Sequence, residues 1–229
     1  MSPEPWHLLR TGLGAASWNM ALDEALLEYA STLAVPVFRL YGWNTPAATF
    51  GYSQKYSEVS PWTSLRPLIR RPTGGGLVPH DADWTYSVVI PPDHPWYKLR
   101  AEASYRRIHD WITAAFRALQ VAAELSASSE KPAPGRCFVG AEKFDVLAGG
   151  KKIAGAAQKR NKLGLLIQGS VQPPNPVSNR LSWEEALIRF GVENFAIGWL
   201  ELKLSDPVAG RAAQLDAEKY STEAYNQRR

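Results

Sequence analysis

Arg70-Arg71-Pro72-Thr73-Gly74-Gly75-Gly76-Leu77-Val78-Pro79-His80-Asp81, followed by Trp84-Thr85-Tyr86-Ser87, is the most informative segment of this sequence. Three consecutive glycines allow positive φ and leave the main chain open, so a ligand can lie directly on the backbone. The neighbouring arginines would attract a carboxylate or a phosphate. A flexible hairpin loop is the alternative interpretation. The segment has neither Gly-x-Gly-x-x-Gly nor a final Gly-Lys-Ser/Thr, so it is not a Rossmann or P-loop nucleotide site.

The segments on either side of this loop mix helices and strands outside a regular βαβ order. Alternating or short apolar runs predict strands over residues 37–41, with 47–52 as hairpin partner, 67–71, 84–90, 144–147, 151–157 and 164–172. Helical spacing and capping residues predict helices over 17–30 (capped by Ser17), 99–125, 182–190 (capped by Ser182 with Glu185) and 208–225. This mixture, with several hairpins, predicts the α+β class.

Composition places the 229-residue chain among ordinary globular proteins, with 45% hydrophobic and 21% charged residues. The length suits one α+β domain, or one domain with a short appendage. The single cysteine excludes an intramolecular disulfide. The N-terminus lacks the pattern of a signal peptide, and no apolar stretch approaches the roughly 20 residues of a membrane helix. We therefore expect a cytoplasmic protein without a membrane partner.

The chain is basic, with a net charge of +4 and a pI of about 9.2. The basic clusters at Arg70-Arg71 and over 151–162 suit acidic partners, such as phosphate-bearing cofactors or acidic carrier proteins. No helix-turn-helix, zinc-finger or ribonucleoprotein signature accompanies them, so we expect no nucleic-acid partner.

Cys137 and Lys152 are the candidate reactive residues. On a regular strand, Lys152 and Ala154 would face the same side. The small residues over 154–157 would leave room for a long, thin ligand beside them. A thiol near an ammonium can be a thiolate, which is the nucleophilic form. A solvated lysine and an inert buried cysteine are the alternatives.

Four ordered motifs resemble the biotin/lipoate protein ligase and octanoyltransferase superfamily. They are Asn19-Met20-Ala21-Leu22-Asp23-Glu24-Ala25-Leu26-Leu27; Phe38-Arg39-Leu40-Tyr41-Gly42-Trp43 with Phe50-Gly51-Tyr52-Ser53-Gln54; Arg71-Pro72-Thr73-Gly74-Gly75-Gly76 with His80-Asp81 and Trp84-Thr85-Tyr86-Ser87; and Lys152-Ile153-Ala154-Gly155-Ala156-Ala157-Gln158-Lys159-Arg160 with Gly169-Ser170. The resemblance runs from about residue 18 to 171.

The resemblance implies the fold of the class II biotin and lipoate ligase catalytic domain, with a central mixed or antiparallel sheet flanked by helices. It implies a single domain over 1–229 with a helical tail from about 207. The acyl chain would lie in a tunnel between the glycine loop and the 152–157 strand. The implied acyl- and substrate-binding residues are Arg71, Thr73, Gly74, Gly75, Gly76, Val78, His80, Ala154, Gly155, Ala157 and Gly169.

Cys137-Phe138 and Lys152 resemble the reactive residues of the branch that transfers octanoyl groups from a carrier protein. The resemblance then implies a Cys137 thioester, with Lys152 supplying positive charge. The acyl group would come from octanoyl-acyl carrier protein. It would pass to a lysine of a lipoyl domain, either the glycine-cleavage carrier or a dehydrogenase E2. This reaction requires no cofactor and no metal.

Two alternatives stay open at this stage. An ATP-dependent lipoate ligase would act through lipoyl-AMP with ATP and Mg, and a non-catalytic relative would only bind acyl groups or lipoyl domains. Cys137, and Phe144-Asp145 where ligases typically carry Asn-Asp, favour the transferase. Gly76 stands where transferases often carry Arg, and Gln168 replaces a frequent His and cannot take a proton. We interpret His80 as a pocket residue that forms a turn-stabilising pair with Asp81, not as the catalytic base.

Overall fold

The computed structural model describes residues 2–130, 135, 138, 140–174 and 179–228. Its strands form two sheets. The strands are β1 (Glu4–Gly14), β2 (Val37–Trp43), β3 (Ala47–Phe50), β4 (Leu68–Arg70), β5 (Val78–His80), β6 (Trp84–Ile90), β7 (Ala123–Leu125), β8 (Val146–Ala148), β9 (Lys151–Asn161), β10 (Gly164–Val171) and β11 (Ile197–Glu201). The large sheet has the order β11-β1-β2-β6-β10-β9-β8-β7, and the small sheet has the order β4-β3-β5.

The helices are α1 (Ala16–Glu28), α2 (Ala30–Leu33), α3 (Tyr56–Val59), α4 (Ala101–Ala118), α5 (Arg180–Phe195), α6 (Asp206–Leu215) and α7 (Glu223–Asn226). Short 3₁₀ turns cover Ser60–Trp62 and Pro95–Lys98, and a π-helical turn covers Asp216–Tyr220. In the part of the chain that the structure describes, no helix is both long and apolar enough to cross a bilayer.

The large sheet is mixed because β1 runs parallel to both β2 and β11, while its other pairings are antiparallel. One core cluster packs α4 and α5 against one face, and another packs α1 and α6 against the opposite face. Cover on both faces explains the continuous apolar runs Val88-Val89-Ile90 and Leu165-Leu166-Ile167, which are buried throughout. The predicted α+β class and the mixed sheet flanked by helices are confirmed.

Long-range pairing explains the errors in the predicted strands. Residues 47–50 do not form a hairpin with β2, because β3 pairs with β4 and β5 in the small sheet. Strand β1, which lies between β11 and β2, and the edge strand β11 were not predicted. Glycine and proline interrupt the apolar pattern of β1, and β11 is short and partly exposed.

Local backbone signals explain the errors in the predicted helices. The helix expected over 99–125 ends at Ala118, because Gln120 adopts a positive φ of 63° and the chain re-enters the sheet as β7. Neither predicted serine is the N-cap. The cap of α1 is Ala15, and Asn179 caps α5 by accepting from the Ser182 amide. The expected C-terminal helix is divided into α6, the π-helical turn and α7.

Candidate active site

A narrow cavity of about 40 Å³ lies where the two sheets, α1 and the glycine loop meet. Its mainly apolar wall consists of Met20, Tyr41, Trp43, Thr49, Arg71, Val78, His80, Thr85, Phe138, Lys152, Gly155, Ala156, Ala157, Gln168, Gly169 and Ser170. A water molecule needs about 10–15 Å³ by this measure, so the cavity has room for roughly three.

A second, larger cleft of about 470 Å³ adjoins this cavity. Its described lining residues are Gly74, Gly75, Gly76, Ala101, Glu102, Tyr105, Ser129, Gly135, Glu142, Lys143, Phe144, Lys152, Ala156, Ala157 and Gln158. The two spaces share Lys152, Ala156 and Ala157. The three glycines therefore face the cleft, whereas Arg71, Val78, His80, Gly155 and Gly169 face the cavity.

Arg71 shapes the glycine loop instead of standing free. Its guanidinium is buried and donates to the carbonyl oxygens of Gly74 (2.6 and 3.0 Å) and Gly76 (2.7 Å). Gly51 must be a glycine, because a Cβ there would lie 1.9 Å from the carbonyl oxygen of Gly75. Arg70 lies elsewhere and donates to carbonyls of the Tyr52–Gln54 turn and of α7.

Lys152 lies where the cavity and the cleft meet. Its Nζ is 2.7 Å from Asp145 Oδ2, and the side chains are only 7% and 0% exposed. The same Nζ lies 5.2 Å from the centre of the Phe138 ring. Within the described ranges, Asp145 is the one polar group recorded on this ammonium, which has three N–H donors.

Besides its contact with Lys152, Asp145 accepts two hydrogen bonds that fix its position. Its Oδ2 also accepts from the Glu142 amide at 2.6 Å, and its Oδ1 accepts a short hydrogen bond from the Tyr105 hydroxyl. Burial, followed by the charge of Asp145, raises the pKa of Tyr105 well above its usual value. The hydroxyl therefore stays protonated and donates.

His109 lies behind this ion pair and is fully buried. Its Nδ1 is 2.7 Å from the carbonyl oxygen of Phe144, the residue before Asp145. Burial disfavours the imidazolium and lowers the pKa of His109 to about 4. A neutral His109 therefore supports the Phe144-Asp145 turn, where Phe144 has a positive φ of 70°.

A β-bulge places Lys152 and Gly155 on the same wall. Val146 pairs with Ala154 but Leu147 pairs with Lys152, so one extra residue stands on β9 at Ile153. The predicted alternation is thereby wrong: Ala154 does not line the cavity and lies in the core beneath α4. A Cβ on Gly155 would come within 2.8 Å of Lys152 Nζ, so the lysine lies directly over that glycine.

Below the cavity, a second buried ion pair joins Asp23 of α1 to Arg39 of β2. Arg39 Nη1 is 2.7 Å from Asp23 Oδ1, and both side chains are fully buried. Asn19, one helical turn before Asp23, accepts from Arg39 Nη2 at 2.7 Å. Gln168 connects this network to the glycine loop, donating to Asp23 (2.7 Å) and accepting from Thr73 (2.8 Å).

The sequence-based interpretation missed this network. The signal available was the spacing of Asn19 and Asp23, which places both polar side chains on one face of an otherwise apolar helix. Thr73 contributes to the site through Gln168 and does not itself line the cavity.

At the far end of the cavity, His80 pairs with Asp83 and not with the exposed Asp81 as predicted. His80 Nδ1 lies 2.8 Å from Asp83 Oδ2, and Nε2 lies 2.8 Å from Thr49 Oγ1. The ring also stacks on Trp43 at 3.8 Å. Asp81 directly follows His80, whereas the turn brings the residue three positions after His80, Asp83, to the imidazole.

Cys137 lies outside the described residues. Phe138, the next residue in the sequence, lines the cavity. Gly135, two residues before Cys137, has its carbonyl oxygen bound by the Leu77 amide (2.8 Å) and by Gln54 Nε2 (3.0 Å). Among the described residues, no group of His, Cys, Asp and Glu side chains is arranged to hold a metal ion.

The sequence profile of the lipoyl protein ligase A/B catalytic domain matches residues 15–172 of this chain. The chain belongs to this family. Octanoyltransferase LipM of Anoxybacillus flavithermus is 35% identical over 184 aligned positions. The alignment covers 75% of this chain and 66% of that protein. LipM of Bacillus subtilis is 34% identical over the same shares. The chain thus spans slightly less than two thirds of the length of these curated relatives.

Solved structures of the lipoyl protein ligase A/B family share the fold. A lipoate-protein ligase A bound with ATP is 25% identical, with a TM-score of 0.78 over 99% of both chains. The bipartite lipoate protein ligase of Thermoplasma acidophilum has a TM-score of 0.74 at 22% identity, over 99% of this chain and 97% of its own. The resemblance inferred from the four motifs is confirmed for family and fold.

Proposed function

We propose that this protein is an octanoyltransferase of protein lipoylation, acting in the cytoplasm. It moves the acyl group of an octanoyl carrier-protein thioester, by way of Cys137, to a lysine of a lipoyl domain. Two curated relatives named octanoyltransferase, each about a third identical to this chain over the aligned region, support the activity. The Thermoplasma ligase was solved together with an E2 lipoyl domain, which supports the class of acceptor.

The observation that carries this proposal is the position of the Lys152 ammonium. It is nearly buried at the junction of an apolar cavity and an open cleft, and Asp145 holds it in place. Asp145 satisfies only one of its three N–H donors. The remaining donors suit the carbonyl oxygen of a thioester whose acyl chain enters the cavity. Phe138, which follows the sole cysteine in the sequence, faces the same ammonium.

In the first step, Cys137 Sγ attacks the thioester carbonyl as a thiolate. A new S–C bond forms and the S–C bond to the carrier breaks, so the carrier leaves as a thiolate and takes a proton from water. The positive charge of Lys152 lowers the thiol pKa and stabilises the oxyanion of the tetrahedral intermediate.

In the second step, the amine of the acceptor lysine attacks the Cys137 thioester. A C–N bond forms, the bond to Sγ breaks and the cysteine thiol is regenerated, so no ATP is consumed. The amine loses a proton in this step, and the departing Cys137 Sγ takes up one proton to become the thiol. Gln168 cannot accept it, because its amide is held between Thr73 and Asp23 and has no basic group.

The cavity is too narrow to take an octanoyl chain without adjustment. Met20 is one of the apolar wall residues, and we propose that its side chain turns aside, because methionine adapts readily to irregular spaces. His80, stacked on Trp43 and fixed by Asp83, closes the far end. We assign acyl binding to Arg71, Thr73, Val78, Gly155, Ala157 and Gly169 as well, through the wall and loop that they build.

A transfer assay separates this function from the alternatives. Octanoyl carrier protein and a lipoyl domain are mixed with the protein in the absence of ATP. We expect octanoylation of the domain and, without acceptor, an intact mass raised by one octanoyl group in the wild type but not in Cys137→Ala. Transfer by Cys137→Ala, or activity only with the free acid and ATP, would contradict the proposal. The second result would identify a ligase, and the lack of both activities would identify a non-catalytic binder.

A further inference from the structure

The cavity and the cleft are two compartments that meet at one charged group. Lys152, Ala156 and Ala157 line both, while the remaining walls of the acyl cavity come mainly from α1, β2, β3, β5, β6 and β10. The cleft is otherwise walled by the glycine loop, the start of α4 and residues 142–144. A thioester with its carbonyl at Lys152 therefore has one substituent in each compartment.

We propose that the cleft is the binding site for the thiol-bearing arm of the acyl donor, a neutral, amide-rich chain of the pantetheine type. This inference rests on the proposed acyl transfer. The acyl tail takes the apolar cavity, so the sulfur and everything attached to it must leave through the cleft. After the first step the free thiol departs by the same route, and the acceptor lysine enters there.

The charges of the cleft favour a neutral ligand. Its described walls carry two carboxylates, Glu102 and Glu142, and two ammonium groups, Lys143 and Lys152. Lys143 Nζ is 2.6 Å from Glu102 Oε1 across the cleft, and both side chains are half exposed. Among the described residues these opposite charges are equal in number, so this part of the cleft presents no strong positive field that would attract a polyanion.

The remaining walls suit a chain of alternating amide and methylene groups. The backbone of Gly74–Gly76 and the polar side chains of Ser129 and Gln158 offer hydrogen-bonding groups, while Tyr105 and Phe144 supply apolar ring surface. The volume of about 470 Å³ lies within the roughly 300–1,000 Å³ that small-molecule sites span.

Two walls of the cleft can be filled without touching the acyl cavity. A Cβ on Gly74 would meet no atom within 4 Å, so Gly74→Leu projects into open space. Ala101, the first residue of α4, is exposed on the opposite wall, so Ala101→Trp narrows the cleft from that side. Gly210→Leu and Ala103→Trp are matched controls, since both positions are exposed, in a helix and away from the cleft.

The measurement is kcat/KM with two thioesters of the same acyl group, octanoyl-pantetheine and octanoyl-N-acetylcysteamine. The second lacks most of the arm. We expect the ratio of the two values, long arm over short, to fall about tenfold in Gly74→Leu and in Ala101→Trp, and to stay at the wild-type value in both controls. Because each ratio comes from one enzyme preparation, partial loss of folded protein cancels.

An unchanged ratio in both cleft variants would overturn the inference. A wild type that uses the two thioesters equally well would overturn it too, because the arm would then make no productive contact. Failure of the proposed function is a distinct result, in which the wild type transfers octanoyl from neither thioester.

Discussion

Two buried ion pairs flank the acyl cavity, and they differ in how completely their charges are satisfied. Arg39–Asp23 lies beneath the cavity and Lys152–Asp145 lies at its mouth, each with a nitrogen–oxygen distance of 2.7 Å. Water is almost excluded from both. Similar distance and burial therefore do not explain any difference in role.

The charges of the lower pair, Arg39–Asp23, are almost fully hydrogen-bonded. Arg39 donates to Asp23, to the carbonyl and side-chain oxygens of Asn19, and to Thr11. Asp23 also accepts from Tyr41, Ser87 and Gln168. Four of the five guanidinium N–H donors of Arg39 and both carboxylate oxygens of Asp23 are engaged within the protein, so this pair joins α1, β2 and β10 as a structural element.

The upper pair is saturated on one side only. Asp145 is held by Tyr105, by the Glu142 amide and by Lys152, while the described surroundings of the Lys152 ammonium provide Asp145 and the face of Phe138. We infer that the N–H donors of Lys152 left unengaged by the described residues, and not burial itself, suit this pair for the proposed reaction.

The largest expected effect is the loss of stability on breaking the lower pair. Asp23→Ala leaves Arg39 buried without its partner, which typically costs about 3–5 kcal/mol. For a chain of this size, that lowers Tm by roughly 6–20 °C. Thermal unfolding checks this prediction, with Arg39→Met/Asp23→Leu as the double variant that should recover much of the loss. A Tm within 2 °C of the wild type for Asp23→Ala would show that the pair is not structural.

Breaking the upper pair should instead remove activity. Lys152→Met removes the charge that faces thiolate and oxyanion, and we expect acyl transfer to fall about 10²- to 10³-fold. The double variant Lys152→Met/Asp145→Asn removes the stranded carboxylate, so it should regain stability without regaining activity. Parallel measurement of Tm and kcat/KM tests this split, and recovery of activity in the double variant would contradict it.

A third buried acidic residue, Glu24, should make the stability of the fold depend on pH. Burial alone would raise the pKa of Glu24, but hydrogen bonds and charges from Lys159 and Lys219 more than offset it and lower the pKa to about 2. Because the pKa of Glu24 is lower in the folded protein than its unfolded value of 4.5, the ionised carboxylate stabilises the fold above pH 4.5. This stabilisation is lost as the pH falls towards 2. We expect roughly 2 kcal/mol, after allowing for the partly exposed lysines.

Chemical unfolding of the wild type and Glu24→Gln between pH 6 and pH 2 measures this contribution. The two proteins should differ most at pH 6 and converge in acid. A constant difference at every pH would mean that Glu24 acts through packing and not through its charge.

The smallest expected effect concerns the link between the two regions. Gln168→Leu removes the hydrogen bond that Gln168 donates to Asp23 and the one that it accepts from Thr73. We expect the free energy of unfolding to fall by about 1–3 kcal/mol. Because Gln168 does not exchange protons, the pH profile of acyl transfer should keep its wild-type shape. A shifted profile would assign Gln168 a role in catalysis.

Local patterns were sufficient to predict much of the fold and part of the site. The apolar runs of β6 and β10 and the glycine loop could be predicted because their signals lie within a few residues. The family motifs then implied Lys152 and Arg71 as site residues, and the structure places both on the cavity wall.

Features that depend on distant residues were not predicted. The pairing of β3 with β4 and β5, the bulge at Ile153 and the His80–Asp83 pair each require knowledge of which segments meet. In the sequence, Asp145 is informative only as part of the pair Phe144-Asp145, which differs from the Asn-Asp of ligases at Phe144. Its contact with Lys152 arises because β8 and β9 bring the two together, which no local periodicity encodes.

The central claim is that the Lys152 ammonium activates Cys137, and the rate of thiol alkylation tests it most directly. The chain has a single cysteine, so the pH dependence of iodoacetamide labelling reports that thiol alone. We predict an apparent pKa below the usual thiol value of about 8.5 in the wild type and a value raised by about one unit or more in Lys152→Met. Identical labelling profiles for the two proteins would contradict the account.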